Sequence, residues 1–322
     1  MKDSRLLRHA GHLLAVVILC FLIKRLYSLL IGLDGETVVF QPFWLLTSLV
    51  FLLGYRTLLV YPWRTLYCSA SQTHVSFRSV WTLFQLSQLG KYFPGKVGQF
   101  ASILVLCRPL ELSKTPAVVS TLQSVVLQCA LGVCMGVPVF LSPSAIPLLH
   151  NGWAFFRRNA PILLGIAIVI IFGVCAVAML LQKCPFFSKM PGLQEGIRIL
   201  FSVLVTRRGL GLLCVHILLW FYFGIAFCFF IKSMVPSIQG SHLLMIITIY
   251  PLAWSLGVLS LVTPGGLGIR EGILSVLLTL CLPPATATLA ALLSRVWVMS
   301  AEILLASIAW GFYSKHKTPV PQ

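Results

Sequence analysis

The sequence predicts an all-α polytopic transmembrane helix bundle with two broken, re-entrant elements. Three observations carry that reading. First, hydrophobic residues make up 58% of the 322 residues and charged residues only 10%, with a mean hydropathy of +0.96. An ordinary globular chain is about 25% charged, so this one lacks the polar side chains to cover a water-facing surface. Second, the apolar residues fall in continuous runs long enough to cross about 30 Å of hydrocarbon. A closed barrel would instead show segments of alternating polarity. Third, two runs are interrupted by proline, glycine and charge. The composition also excludes disorder, collagen and a secreted disulfide scaffold.

The elements follow in chain order. Lys2, Arg5 and Arg8 precede the apolar run Leu13–Ile23, as in a secretory signal, but Lys24, Arg25 and more apolar chain come next instead of a small-x-small cleavage site. Residues 6–23, extending toward 33, therefore read as an uncleaved first span. Further spans are expected at 42–62, 116–141, 161–182, 209–231, 243–262 and 285–312. The stretches 80–107 and 272–282 are interrupted or too short to cross. The longest polar loop, about 183–208, is too small to fold alone. The chain 1–322 thus reads as a single transmembrane domain with no soluble domain, its re-entrant elements at about 80–107 and 263–282.

The formal net charge is +17. In a soluble chain that excess would point to nucleic acid; in a membrane chain it marks cytoplasmic loops, with anionic lipid headgroups as the second natural partner. Of the 24 basic residues, Lys24, Arg25, Arg157, Arg158 and Lys232 fall in outer loops when the N-terminus is placed inside. Arg56, Lys91, Lys96, Arg270 and Arg295 fall within apolar or interrupted segments, and the remaining fourteen lie on the inner side. Both termini are therefore expected in the cytoplasm. The ten cysteines form no C-x-x-C and the seven histidines lack ligand spacing, so no metal and no cofactor are expected.

The first break reads Gln88-Leu89-Gly90-Lys91-Tyr92-Phe93-Pro94-Gly95-Lys96-Val97-Gly98-Gln99. The second reads Thr263-Pro264-Gly265-Gly266-Leu267-Gly268-Ile269-Arg270-Glu271-Gly272, followed by Ile273–Leu282 and Pro283-Pro284. Proline and glycine stop a helix, and backbone groups so freed cannot face lipid, so they line a cavity or are buried in protein. One such break in each half of the chain is the pattern of an inverted-repeat transporter with a midplane site. Each opens a short helix, near Lys96 and near Arg270, whose N-terminal N–H groups suit an anion.

Intramembrane charge sharpens the reading. Arg295 lies well inside the last span, where a charge costs roughly 2.5–3.5 kcal/mol on insertion scales. Glu302, seven residues on, shares its helix face but is too distant for a favoured i,i+4 pair. Each needs a partner elsewhere, and Glu271 is the candidate for Arg295. Lys91, Lys96, Arg270 and Arg295 against Glu271 and Glu302 leave two positive charges over, which suits an anionic headgroup.

The strings QLGKYFPGKVGQ (88–99) and TPGGLGIREG (263–272) resemble the lysylphosphatidylglycerol synthase transmembrane-region family, flippase-like proteins that include the membrane half of the bacterial multiple peptide resistance factor. YRTLLVYPWRTLY (55–67) is similar to the basic end of that family's second span, and Arg295 to an arginine in its last. The resemblance covers essentially the whole chain. It implies a helical bundle whose two re-entrant elements meet at a lipid-binding cavity, in a bacterial or archaeal cytoplasmic membrane. It also implies headgroup-binding roles for Lys91, Pro94, Gly95, Lys96, Gln99, Pro264, Gly265, Gly266, Gly268, Arg270, Glu271 and Arg295. The chain departs from the pattern at Gln128, where many members are acidic, and at Ser102, near the place of an arginine. The synthase members owe aminoacyl transfer to an added soluble domain, and since this chain ends at Gln322 without one, it is not expected to make lysylphosphatidylglycerol.

The function expected is translocation of an anionic phospholipid or a polyprenyl-phosphate-linked sugar. With no G-x-x-x-x-G-K-[ST] loop, transport would run downhill or couple to a gradient, with Glu271 and Glu302 as the acidic residues placed to carry a proton. The alternatives are a membrane-embedded glycosyl or acyl transferase, or a non-catalytic partner of glycan- or lipid-assembly enzymes. A transferase usually needs a general base or an acidic metal cluster; Asp3, Asp34, Glu36, Glu111 and Glu195 lie in loops or termini and form no D-x-D pair.

Overall fold

The computed structural model describes residues 40–92, 97–136, 138–139, 207–238, 240–259 and 268–317. The expected spans at 6–23 and 161–182, and residues 183–206 of the expected loop 183–208, lie outside the described residues; Arg207 and Arg208 begin a helix. So do Pro94, Gly95, Lys96, Pro264, Gly265 and Gly266. Among the described residues the structure is helical with no strand.

Helix α1 (Pro42–Leu58) starts with proline in its first turn and runs almost directly into α2 (Val60–Ser71). Pro62 has no N–H to give the Leu58 carbonyl, and Leu59 is the one residue between the two helices, so the proline interrupts the hydrogen-bond ladder without ending the span. The span therefore continues to Ser71 rather than stopping at 62. Helix α3 (Phe77–Leu89) is capped by Ser76, whose Oγ accepts from the Ser79 N–H at 3.1 Å. A 3₁₀ turn, Gly90–Tyr92, ends it. Helix α4 (Val97–Cys107) packs back against α3 and this turn. Helix α5 (Lys114–Met135), α6 (Arg207–Met234) and α7 (Leu243–Leu259) follow. Helix α8 (Ile269–Leu278) is too short to cross, and α9 (Pro284–Lys317) is the longest of the described helices. Among the described residues, four stretches are long and apolar enough to span a membrane: Pro42–Ser71, Lys114–Met135, Gly209–Met234 and Pro284–Ser314.

Helix α9 touches α1, α3, α6 and α8, so both broken regions rest on it. Between α1, α6, α7 and α9 lies an aromatic core; Trp297 stacks on Phe230 with ring centroids 5.0 Å apart and donates its Nε1–H to Ser48 Oγ at 3.0 Å. Outward residues are apolar, among them Phe43, Leu46, Val50, Leu218, Val296 and Ile303. The two ends carry basic–aromatic anchors suited to an interface: Lys232 lies over Trp44 at one, Arg78 over Phe312 at the other.

Helices inside a membrane gain by close approach, which small residues permit. Helix α5 crosses α7 where Gly132 faces Pro251. A Cβ on Gly132 would lie 2.1 Å from Ser255 Oγ and 2.7 Å from the Pro251 carbonyl oxygen. Gly132→Leu should therefore cost about 1–3 kcal/mol by overpacking, seen as a lower Tm in detergent. Gly211→Ala, where a Cβ meets nothing within 4 Å, should be neutral or gain up to about 1 kcal/mol of helix propensity. Equal Tm values for the two variants would contradict this crossing.

Candidate functional site

Two buried carboxylates organise the centre of the bundle. Glu302 sits near the middle of α9 with its side chain fully buried. Its Oε1 is 3.0 Å from the Arg56 guanidinium and also pairs with the Lys91 ammonium. Its Oε2 accepts the Tyr92 hydroxyl at 2.6 Å. Arg56 comes from the middle of the α1–α2 span, and its own carbonyl oxygen accepts from Gln85 Nε2 of α3 at 3.3 Å. Lys91 and Tyr92 belong to the 3₁₀ turn of the first break. One carboxylate thus ties the first break and α1 to α9.

Glu271 does the same for the second break. Gly268 precedes α8 with φ +84°, the left-handed region where glycine meets no Cβ penalty. Its N–H donates to Glu271 Oε2 at 2.8 Å, so a residue of the first helical turn caps its own helix. Glu271 Oε1 lies 2.9 Å from Arg270 Nη2 and 3.5 Å from Arg295 Nη1. The partnership expected between Arg295 and Glu271 is present, and Glu302 finds other partners, as its spacing from Arg295 required.

Aromatic rings join the two clusters. The Arg295 guanidinium and the Lys91 ammonium each lie 5.3 Å from the centroid of the Tyr92 ring. Arg270 lies over Tyr250 of α7 at 5.4 Å. Among the described residues, the network holds Arg56, Lys91, Arg270 and Arg295 against Glu271 and Glu302, a surplus of two positive charges. The surplus equals that expected from the sequence, but Arg56 enters it while Lys96 lies outside the described residues. Buried donors normally find acceptors, yet Arg56 Nε and Arg270 Nε have none among the described residues. Lys91 is the most open member, its side chain 27% exposed.

The remaining expected residues divide. Gly268 is exposed, but its N–H is engaged by Glu271. Gln99 lies half-buried in the first turn of α4. Gln128 gives its amide to Ser124 while its backbone carbonyl accepts from Trp220 Nε1 at 3.1 Å, which makes it a joint between α5 and α6. Arg56 and Tyr92 are members that sequence reasoning did not propose. The signal for Arg56 was a lone charge in an apolar run; Tyr92 stood inside the first motif.

The family model described as the lysylphosphatidylglycerol synthase TM region matches residues 9–301. The chain belongs to that family. No curated protein and no solved structure matches it. The family assignment and the four apolar helices make this a multi-pass integral membrane protein, and the two interrupted strings, 88–99 and 263–272, lie in the matched region.

Glu302→Gln would leave Arg56 and Lys91 buried without their counter-charge. Breaking a buried pair from one side costs about 3–5 kcal/mol, so this variant should show a marked fall in Tm. Glu111→Gln, on an exposed turn, should leave the Tm within experimental error. Matching values would show that the Glu302 pairs contribute nothing.

Proposed function

We propose that the protein binds the anionic headgroup of a membrane lipid in this buried cationic site and passes it between leaflets while the lipid tails stay in the bilayer. The observation that carries the reading is the surplus of two positive charges, among the described residues, on buried and half-buried side chains at mid-depth of α9, where both broken regions converge. Charge held inside a membrane is costly and marks a substrate path by default. Arg56 Nε and Arg270 Nε supply buried donors that a phosphate oxygen would satisfy. The apolar outer faces of α1 and α9 suit lipid tails.

In this reading Glu271 and Glu302 are positioning residues. Each holds two cations through one oxygen, so the cations stay spaced and oriented before a headgroup arrives. Transport runs downhill, or against a gradient if proton or ion movement couples to the breaking of these pairs. The setting is a prokaryotic cytoplasmic membrane with both termini inside, and the substrates are anionic phospholipids or lipid-linked sugar phosphates.

Leaflet exchange in proteoliposomes tests this, with fluorescent anionic, zwitterionic and polyprenyl-phosphate lipids measured with and without a proton gradient. Exchange of anionic lipids should exceed that of empty liposomes. It should fall about tenfold or more in Arg270→Gln and Lys91→Gln, the loss expected when a charge-assisted contact disappears. No exchange of any lipid by folded protein under either condition would overturn translocation. Exchange unchanged in both variants would overturn the site.

A further inference from the structure

The way the charges are divided carries the reading one step further. Arg56 and Lys91 share Glu302 Oε1; Arg270 and Arg295 share Glu271 Oε1. Each carboxylate neutralises one of its two cations, so one positive charge is left over at each cluster. The two clusters are not remote. Lys91 and Arg295 lie at equal distances from the Tyr92 ring, and the Tyr92 hydroxyl donates to Glu302. Arg56 and Arg270, 7% and 5% exposed, each keep a buried Nε without an acceptor among the described residues.

We propose that the site is matched to a headgroup carrying two negative phosphate charges, and discriminates against the single charge of a phosphodiester. The inference rests on the lipid-binding reading above and names its substrate class. A phosphodiester would leave one buried cation uncompensated, a costly state in a low-dielectric site. A zwitterionic headgroup would bring a further cation into a region that is already positive. Two lipid chemistries carry the required charge: a terminal phosphomonoester, and a diphosphate linking a lipid to a sugar. They differ in one respect. The second ionisation of a phosphomonoester falls near pH 6, whereas a diphosphate substituted at both ends keeps its two charges throughout the neutral range.

That difference supplies the test, made on the intact protein in detergent by binding of lipids matched in tail length. The probes are phosphatidic acid as the phosphomonoester, phosphatidylglycerol as the phosphodiester, phosphatidylcholine as the neutral control, and a lipid diphosphate sugar. At about pH 8 phosphatidic acid should bind about tenfold or more tighter than phosphatidylglycerol, and at about pH 5 the ratio should fall toward one as the second charge is lost. The groups facing the headgroup are Arg56 and Tyr55 from α1, Lys91 and Tyr92 from the first break, and Tyr250 from α7. Arg270 and Glu271 from α8 and Arg295 and Glu302 from α9 complete the set. A titration among them would act on every doubly charged lipid alike, so the ratio of the diphosphate to phosphatidylglycerol, whose ligand charges stay fixed between the two pH values, separates it from the ionisation of phosphatidic acid.

The diphosphate should match phosphatidic acid at the higher pH and hold that affinity at the lower one. If it binds no better than phosphatidylglycerol while phosphatidic acid shows the gain, the site is for a phosphomonoester. If only the diphosphate gains, the site is for a diphosphate. Arg270→Gln, which lowers the surplus to one, should bring all ratios toward one, because it weakens the doubly charged lipids more than phosphatidylglycerol. Equal affinity of the singly and doubly charged lipids for the intact protein at both pH values would overturn the inference and leave lipid-anion binding standing. Binding of none of the four would overturn the lipid-binding reading itself.

Discussion

A carboxylate has no place inside an apolar bundle unless cations and donors surround it, and this constraint organises the protein. Glu302 and Glu271 are both buried in the bundle core, and each is held by two basic side chains and a further hydrogen-bond donor. Their partners come from α1, from the turn that ends α3, from α8 and from α9. The charges therefore decide which helices meet as well as what the centre can bind. Helix α9 contributes Glu302 and Arg295 from one face, and the chain breaks at Gly90–Tyr92 and before Gly268 bring the complementary groups to it.

The breaks serve that arrangement. A continuous helix through Lys91 would carry the ammonium and the Tyr92 ring around its circumference; the 3₁₀ turn aims both at Glu302. Gly268 permits the backbone turn that starts α8 within the bundle, and Glu271 closes the exposed end of that helix while holding two arginines. Elsewhere the chain is joined by ordinary membrane packing: an aromatic core, the Gly132 crossing, and indole donors on Ser48, Thr121 and the Gln128 carbonyl.

Much of this was legible in the sequence. Run length and charge located the described apolar helices, and the glycine-rich strings located the 3₁₀ turn that ends α3 and the start of α8, because both signals are local. The Arg295–Glu271 pair was legible because two charges confined to the membrane had few partners to choose from. Arg56 was visible as a charge in an apolar run, but nothing local ties it to Glu302, which lies far along the chain. Tyr92 was hidden for a different reason: an aromatic residue in a motif reads as packing until its hydroxyl is seen on a carboxylate. The extension of the second span to Ser71 has no local signal, because Pro62 and Arg64 interrupt the apolar run while the helix continues past both.

The central claim is that a lipid phosphate is held among Arg56, Lys91, Arg270 and Arg295. The most direct measurement is photocrosslinking in proteoliposomes with a lipid whose photoreactive group is attached next to the phosphate, the adducts being mapped by mass spectrometry. The account predicts adducts on the end of α3 and its turn, on the first turn of α8, and on α9 between Arg295 and Glu302, all competed by unlabelled anionic lipid. Adducts confined to the lipid-facing residues of α1 and α9, such as Phe43, Val50 and Ile303, and insensitive to competitor would contradict it.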